Sequence, residues 1–124
     1  MSVKVFLLGV ALLHAAFMAL ELFPWRTPFL LALVSKKLPK LPDGESFTAH
    51  QRDLVATIVH NAGIYNGILA AGLCWAALTG ESANDVARVL LAGAAVAGIF
   101  GTLTMRSAAT AVQAVAGIIG LLFV

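Results

Sequence analysis

The sequence predicts an all-α polytopic membrane protein, a single domain over residues 1–124 built as a bundle of four transmembrane helices. Only 11% of the residues are charged and 60% are hydrophobic, and the mean hydropathy is +0.95. Soluble domains carry about a quarter charged residues. A water-soluble protein of this size could not cover its surface with so few charges, so we expect a surface that faces lipid.

Four apolar stretches approach the length of about 20 residues that a helix needs to cross the bilayer. They are residues 3–23, 54–79, 86–104 and 107–124. The first is stopped by Pro24, after which Trp25 and Arg26 suit the membrane interface. Residues 27–34 are apolar but too few to span, so they predict a short interfacial segment after the first helix. A signal peptide is the other interpretation of the N-terminus, although its apolar stretch is longer than a usual signal core.

The basic residues predict the topology, because Lys and Arg collect on the cytoplasmic side of membrane proteins. With four crossings, the first loop and the last turn share one side, and the two termini and the second loop share the other. The side with the first loop and the last turn holds six cations, namely Arg26, Lys36, Lys37, Lys40, Arg52 and Arg106. The side with the termini holds Lys4 and Arg88. We therefore predict a plasma (inner) membrane protein with both termini outside the cytoplasm. The cations lack interleaved aromatic residues, so no nucleic-acid partner is predicted.

Small residues recur at helical spacing and predict how the helices pack. In lipid, close backbone approach carries much of the association between helices. The recurring positions are Gly63, Gly67 and Ala71 in the second span, Gly93, Ala97 and Gly101 in the third beside Ala94 and Gly98, and Ala116, Gly120, Gln113 and Gly117 in the fourth. We interpret them as packing surfaces within the bundle. The alternative is that one stripe forms the seam of a homodimer.

Polar side chains at membrane depth predict a shared binding pocket. The candidates are His14, Glu21, Trp25, His60, Asn61, Tyr65, Asn66 and Gln113. His14 lies about 15 Å along the helix from Lys4, near the membrane midplane, and Glu21 follows near the same face toward the cytoplasmic end. Single amides at such depth are ordinary links between helices, worth about 0.6 kcal/mol. A cluster spread over three helices exceeds that need, although Glu21 alone would also suit interfacial water.

The sequence predicts no metal site and no cofactor. Its single cysteine, Cys74, lies in an apolar run and is interpreted as a small buried hydrophobic residue. No zinc motif, phosphate-binding loop or nucleophile elbow is present. His14 and His60 lie on different helices and could in principle hold a haem, but their expected depths differ by about 6 Å, which argues against it.

The string from Asn61 to Gly72, Asn-Ala-Gly-Ile-Tyr-Asn-Gly-Ile-Leu-Ala-Ala-Gly, resembles the signature of an uncharacterised family of small four-helix membrane proteins, a domain of unknown function. The resemblance extends to the regions of His14, of Glu21-Leu-Phe23, of Gly98-Ile-Phe-Gly101 and of Gln113. The chain departs from the family's pattern between Pro28 and Thr48 and near Gly117. The resemblance implies the four-helix fold and no established activity.

Three functions therefore remain open for a protein whose immediate partners are membrane lipids. The first is a binder or transporter of a small lipophilic or cationic molecule, with Glu21 as the proton or cation site. The second is a membrane-embedded, isomerase-like enzyme with His14 or Glu21 as base and Tyr65 as acid or oxyanion donor. The third is a non-catalytic accessory subunit whose polar cluster only sets the helix register.

Overall fold

A computed structural model describes residues 2–23, 27 and 49–124. This part of the chain holds four α helices, one short 3₁₀ turn at Glu81–Ala83, and no strand. The helices are α1 (Val3–Leu22), α2 (Ala49–Thr79), α3 (Asn84–Met105) and α4 (Ala108–Phe123). The prediction of an all-α fold with four helices is confirmed. The predicted interfacial segment at residues 27–34 lies outside the described residues apart from Thr27.

Three of the helical stretches are long and apolar enough to cross a membrane. They are Val3–Leu22, Asp53–Thr79 and Glu81–Met105, with 20, 27 and 25 residues. The fourth helix is apolar but has only 16 residues, about 24 Å against a hydrocarbon core of about 30 Å. Large apolar side chains cover the outside, as shown by Leu12 and Val89, each 71% exposed. Such a surface is compatible with a membrane protein, because lipid rather than water would cover it.

A side-chain cap explains where the first helix starts. The Ser2 hydroxyl accepts a hydrogen bond from the Val5 N–H at 3.4 Å and so caps α1. The α2 helix starts at Ala49, five residues before the predicted span at 54–79. The apolar pattern marks where a chain enters lipid, whereas a helix continues through polar residues such as Gln51 and Asp53. At the end of α3, Arg106 takes a left-handed conformation with φ of 49°.

The bundle consists of two antiparallel hairpins. Along α1 and α2, Gly63 faces Leu22 and Gly67 faces Met18, so four residues forward on α2 correspond to four residues back on α1. In the second hairpin, α3 packs closely along α4. The two hairpins meet where Gly72 of α2 faces Leu90 of α3. They also meet where the rings of Phe6 and Phe123 stack at a centroid distance of 5.2 Å.

Glycines allow both hairpins to pack closely. A Cβ placed on Gly67 would lie 2.6 Å from Met18 Sδ. A Cβ on Gly117 would lie 2.6 Å from the Ala95 backbone nitrogen, so there the two main chains are in contact. The predicted role of these glycines as packing surfaces inside the bundle therefore holds at both positions.

The packed faces differ in detail from the predicted stripes. Ala70 is buried on α2, whereas Ala71 is exposed. On α3, Ala94 and Gly98 are buried, while Gly93 lies at the surface with no atom near its Cβ position. Neighbouring residues are separated by about 100° around a helix. Several small residues in succession therefore offer more than one candidate stripe, and the neighbouring helix selects the one that packs.

Candidate functional site

Three polar side chains from α1 and α2 form a continuous hydrogen-bonded cluster. The Asn66 amide lies at its centre. The Asn66 Nδ2 group donates to Glu21 Oε2 at 2.7 Å. On the other side of the amide, Asn66 Oδ1 lies 2.8 Å from His14 Nδ1. We refer to His14, Asn66 and Glu21 as the polar cluster.

The polar cluster runs from mid-depth toward the C-terminal end of α1. His14 lies near the centre of Val3–Leu22, and Asn66 lies midway between Asp53 and Thr79. Glu21 is two helical turns beyond His14, about 10 Å along α1. His14 is fully buried, with 0% exposure, whereas Asn66 and Glu21 are half-buried. The imidazole is therefore the most enclosed member of the cluster.

Helix spacing and two glycines bring these side chains together. His14 and Glu21 are seven residues apart, which places them on one face of α1. Gly63 and Gly67, on either side of Asn66, leave room for α1. The Cβ of Glu21 lies only 3.2 Å from the position that a Cβ on Gly63 would take. The helices are thus close enough for one amide to reach both polar groups of α1.

His14 has one ring nitrogen without a hydrogen-bond partner. Its Nε2 is buried and unpaired among the described residues, while Nδ1 is held by Asn66. The ring of Phe17 lies edge-to-face against the imidazole, with centroids 5.9 Å apart and an angle of 85° between the planes. An unsatisfied buried polar atom costs about 1–3 kcal/mol. His14 Nε2 is therefore an unsatisfied buried atom, and a hydrogen bond from a polar ligand would remove its energetic cost.

The other predicted site residues lie outside the polar cluster. Asn61 and Tyr65 are on an outward face of α2, where Tyr65 is 62% exposed. His60 is half-buried with an unpaired Nε2 among the described residues, and it precedes Asn66 by about 9 Å along α2. Gln113 is half-buried on α4. Trp25 lies outside the described residues.

An apolar groove between α1 and α4 was not predicted from the sequence. It is lined by residues from 5–13 and 111–119 and has a volume of about 690 Å³. It ends at Leu13, the residue before His14. Gly9 lines the groove and has open space at its Cβ position. No sequence signal reveals such a groove, because its walls are ordinary apolar helix residues.

Comparison with known proteins places the chain in a family. Residues 8–124 match a family described as "Protein of unknown function (DUF1304)". The chain belongs to the DUF1304 family. No curated protein and no solved structure matches it. Membership in DUF1304 agrees with the expected resemblance to a family of unknown function, and it assigns no activity to the polar cluster.

The chemistry available to this DUF1304 chain is that of one anchored imidazole. The described residues contain no group of three or more His, Cys, Asp or Glu side chains able to hold a metal ion. An imidazole anchored at Nδ1 can use Nε2 to accept a hydrogen bond or a proton. Asn66 orients the ring, and Glu21 in turn orients the Asn66 amide.

Proposed function

We propose that this protein crosses the membrane four times and binds a small, largely apolar molecule whose polar group pairs with His14 Nε2. The observation that carries the proposal is a fully buried imidazole, held at Nδ1 by Asn66, with no partner at Nε2 among the described residues. Buried polar groups in proteins are nearly always hydrogen-bonded, so a ligand is a physical reason for the exception.

The energetic cost of the polar cluster supports a role beyond helix packing. Polar and ionisable groups inside membranes are expensive and usually mark functional sites. A single Asn66–His14 contact would suffice to link α1 to α2. The cluster adds a carboxylate, Glu21, and leaves one imidazole nitrogen unpaired, and neither feature is needed to join two helices that already pack through Gly63 and Gly67.

The apolar groove supports the lipophilic character of the ligand. It lies between α1 and α4 and ends next to His14 in the sequence. His14 is not among the residues that line the groove, and it is fully buried. The proposal therefore places the apolar body of the ligand in the groove and requires side chains around His14 to move before the ligand's polar group reaches Nε2.

A membrane-embedded enzyme is the second candidate, because a base oriented by a third group is a recurring catalytic arrangement. His14, oriented by Asn66, has this form. However, Tyr65, the acid in that hypothesis, is on the outward face of α2 rather than beside His14. The geometry thus favours binding over catalysis.

Binding is tested with simple amphiphiles added to the purified protein. We expect decan-1-ol to raise the unfolding temperature of the wild type more than decane does, when both are compared at equal mole fraction in the micelle. The difference should disappear in His14→Leu and persist in Asn61→Leu, which removes an outward polar group from α2. An equal response of the wild type and His14→Leu to decan-1-ol would refute the proposal.

A further inference from the structure

We infer that Glu21 is a specificity-determining residue. Acting through Asn66, it sets which ring nitrogen of His14 carries the proton and so restricts the ligand to hydrogen-bond donors, such as a hydroxyl or an ammonium group. The part that concerns the ligand rests on the proposed function. The part that concerns the imidazole does not, because it follows from the hydrogen bonds within the polar cluster.

The first step is the contact between Glu21 and Asn66. The side chain of Asn66 presents its NH₂ group to Glu21 Oε2, which lies 2.7 Å away. When Glu21 is ionised this is the only pairing possible, because a carboxylate accepts hydrogen bonds and does not donate them. The carboxylate thus selects one of the two orientations that the amide could adopt.

The second step is the contact between Asn66 and His14. With its NH₂ group on Glu21, the amide turns its oxygen toward the imidazole, 2.8 Å from Nδ1. An oxygen accepts, so Nδ1 must donate. Neutral imidazole has one N–H, and the other nitrogen is then an acceptor. In neutral His14 the proton is on Nδ1, and the buried Nε2 carries a bare lone pair.

The third step concerns the ligand. A lone pair at Nε2 is satisfied by an O–H or N–H group and repelled by a carbonyl oxygen or an anion. A site that pairs with a specific polar group discriminates strongly against ligands that cannot form that pair. Glu21 acts about two helical turns from His14 and does not itself contact the ligand. It is a positioning residue that determines the chemical class bound at Nε2.

Glu21→Gln removes this constraint with almost no change in size. A glutamine amide presents either its oxygen or its NH₂ group to Asn66. When it presents NH₂, Asn66 turns its oxygen to position 21 and its own NH₂ group to His14. Nδ1 then becomes an acceptor and Nε2 carries the proton. The variant should populate both tautomers. The tautomer with the proton on Nε2 should bind ligands whose polar group only accepts hydrogen bonds.

The tautomer is measured by ¹⁵N NMR of labelled histidine in lipid bilayers without ligand. The chain has three histidines, so His50→Gln and His60→Gln form the background that isolates His14. At a pH where His14 is neutral and Glu21 is ionised, we expect protonated Nδ1 in the starting protein and at least a several-fold rise in protonated Nε2 in Glu21→Gln. Asn61→Leu, the matched control, should keep the original tautomer.

Two results would overturn the inference. One is a starting protein in which the proton of His14 is already on Nε2. The other is a Glu21→Gln variant whose ratio of the two tautomers equals that of the starting protein. The first remains decisive even if Glu21→Gln does not fold.

Ligand binding is tested separately with undecan-2-one, an acceptor-only probe, which we expect to stabilise Glu21→Gln several-fold more strongly than wild type. If the tautomer changes but neither decan-1-ol nor the ketone is bound, the proposed function fails and the role of Glu21 in the tautomer stands. If decan-1-ol binds but the tautomer does not change, the role of Glu21 fails instead.

Discussion

His14 and Asn66 are separated by 52 positions in the sequence, yet His14 Nδ1 and Asn66 Oδ1 lie 2.8 Å apart at the contact between α1 and α2. This contact joins the most buried polar side chain of the described residues to the amide that also binds Glu21. The stability of the α1–α2 hairpin should therefore depend on Asn66 more than on any outward polar residue of α2.

Asn66→Leu should lower the free energy of unfolding by about 1–3 kcal/mol, because it leaves both His14 Nδ1 and Glu21 Oε2 without their partner. A double-mutant cycle of His14→Leu and Asn66→Leu should give a coupling of about 0.6 kcal/mol, up to about 1.7, the range found within membranes. Reversible unfolding in micelles measures both. Asn61→Leu, assayed at a protein-to-micelle ratio that keeps the chain monomeric, is the control and should change stability little. A zero coupling would mean that the hydrogen bond is not formed.

Glycine-to-alanine substitutions should have opposite effects on stability on the packed face and on the outward face of α3. A Cβ on Gly98 would lie 2.7 Å from Ala114 Cα and 2.8 Å from the Thr110 carbonyl oxygen, and neither backbone atom can move easily. Gly98→Ala should therefore destabilise by about 1–3 kcal/mol or more. Gly93→Ala has open space and should stabilise by up to about 1 kcal/mol through helix propensity. The same unfolding assay measures both, and equal effects would contradict the packing of α3 on α4.

The predicted topology, with both termini outside the cytoplasm, is testable because the chain has only one cysteine. In a Cys74→Ala background, Ser82→Cys lies between α2 and α3, and Ala108→Cys lies at the start of α4; both positions are exposed. An impermeant maleimide should label Ser82→Cys in intact cells and Ala108→Cys only after permeabilisation. The reverse labelling would invert the topology, and labelling of both in intact cells would contradict a crossing by α3.

The outward face of α2 exposes two polar side chains. Asn61 and Tyr65 are one turn apart, exposed, and near the middle of Asp53–Thr79. Each can both donate and accept a hydrogen bond, so we propose that two copies pair through this face in a homodimer. Asn61→Leu should then lower the dimer fraction in lipid several-fold, as measured by energy transfer between labelled copies.

Gln113→Leu makes the same chemical change on α4 and should leave that fraction unchanged. A wild-type protein that is monomeric at every protein-to-lipid ratio would exclude the homodimer. Equal losses in Asn61→Leu and Gln113→Leu would place the contact elsewhere in the bundle.

Sequence reasoning located two members of the polar cluster by depth but could not join them through Asn66. It placed His14 and Glu21 near one face of α1 because helical periodicity alone relates residues seven apart. It listed Asn66 and its neighbour Tyr65 as candidates for the same pocket. In the structure they diverge, since adjacent residues point about 100° apart, and only the contact with α1 shows that Asn66 is the inward one.

The sequence by itself determined the all-α class, the four helices and most of their boundaries, because hydrophobicity, length and helix-stopping residues act locally along the chain. Only the tertiary structure decided which small residues pack, that the amide of Asn66 bridges His14 and Glu21, and that Asn61 and Tyr65 face outward. Those outcomes depend on the rotation and register of one helix against another. In a chain that is apolar around almost its whole circumference, close fits such as Met18 against Gly67 set that rotation, and the overall pattern of hydrophobicity does not.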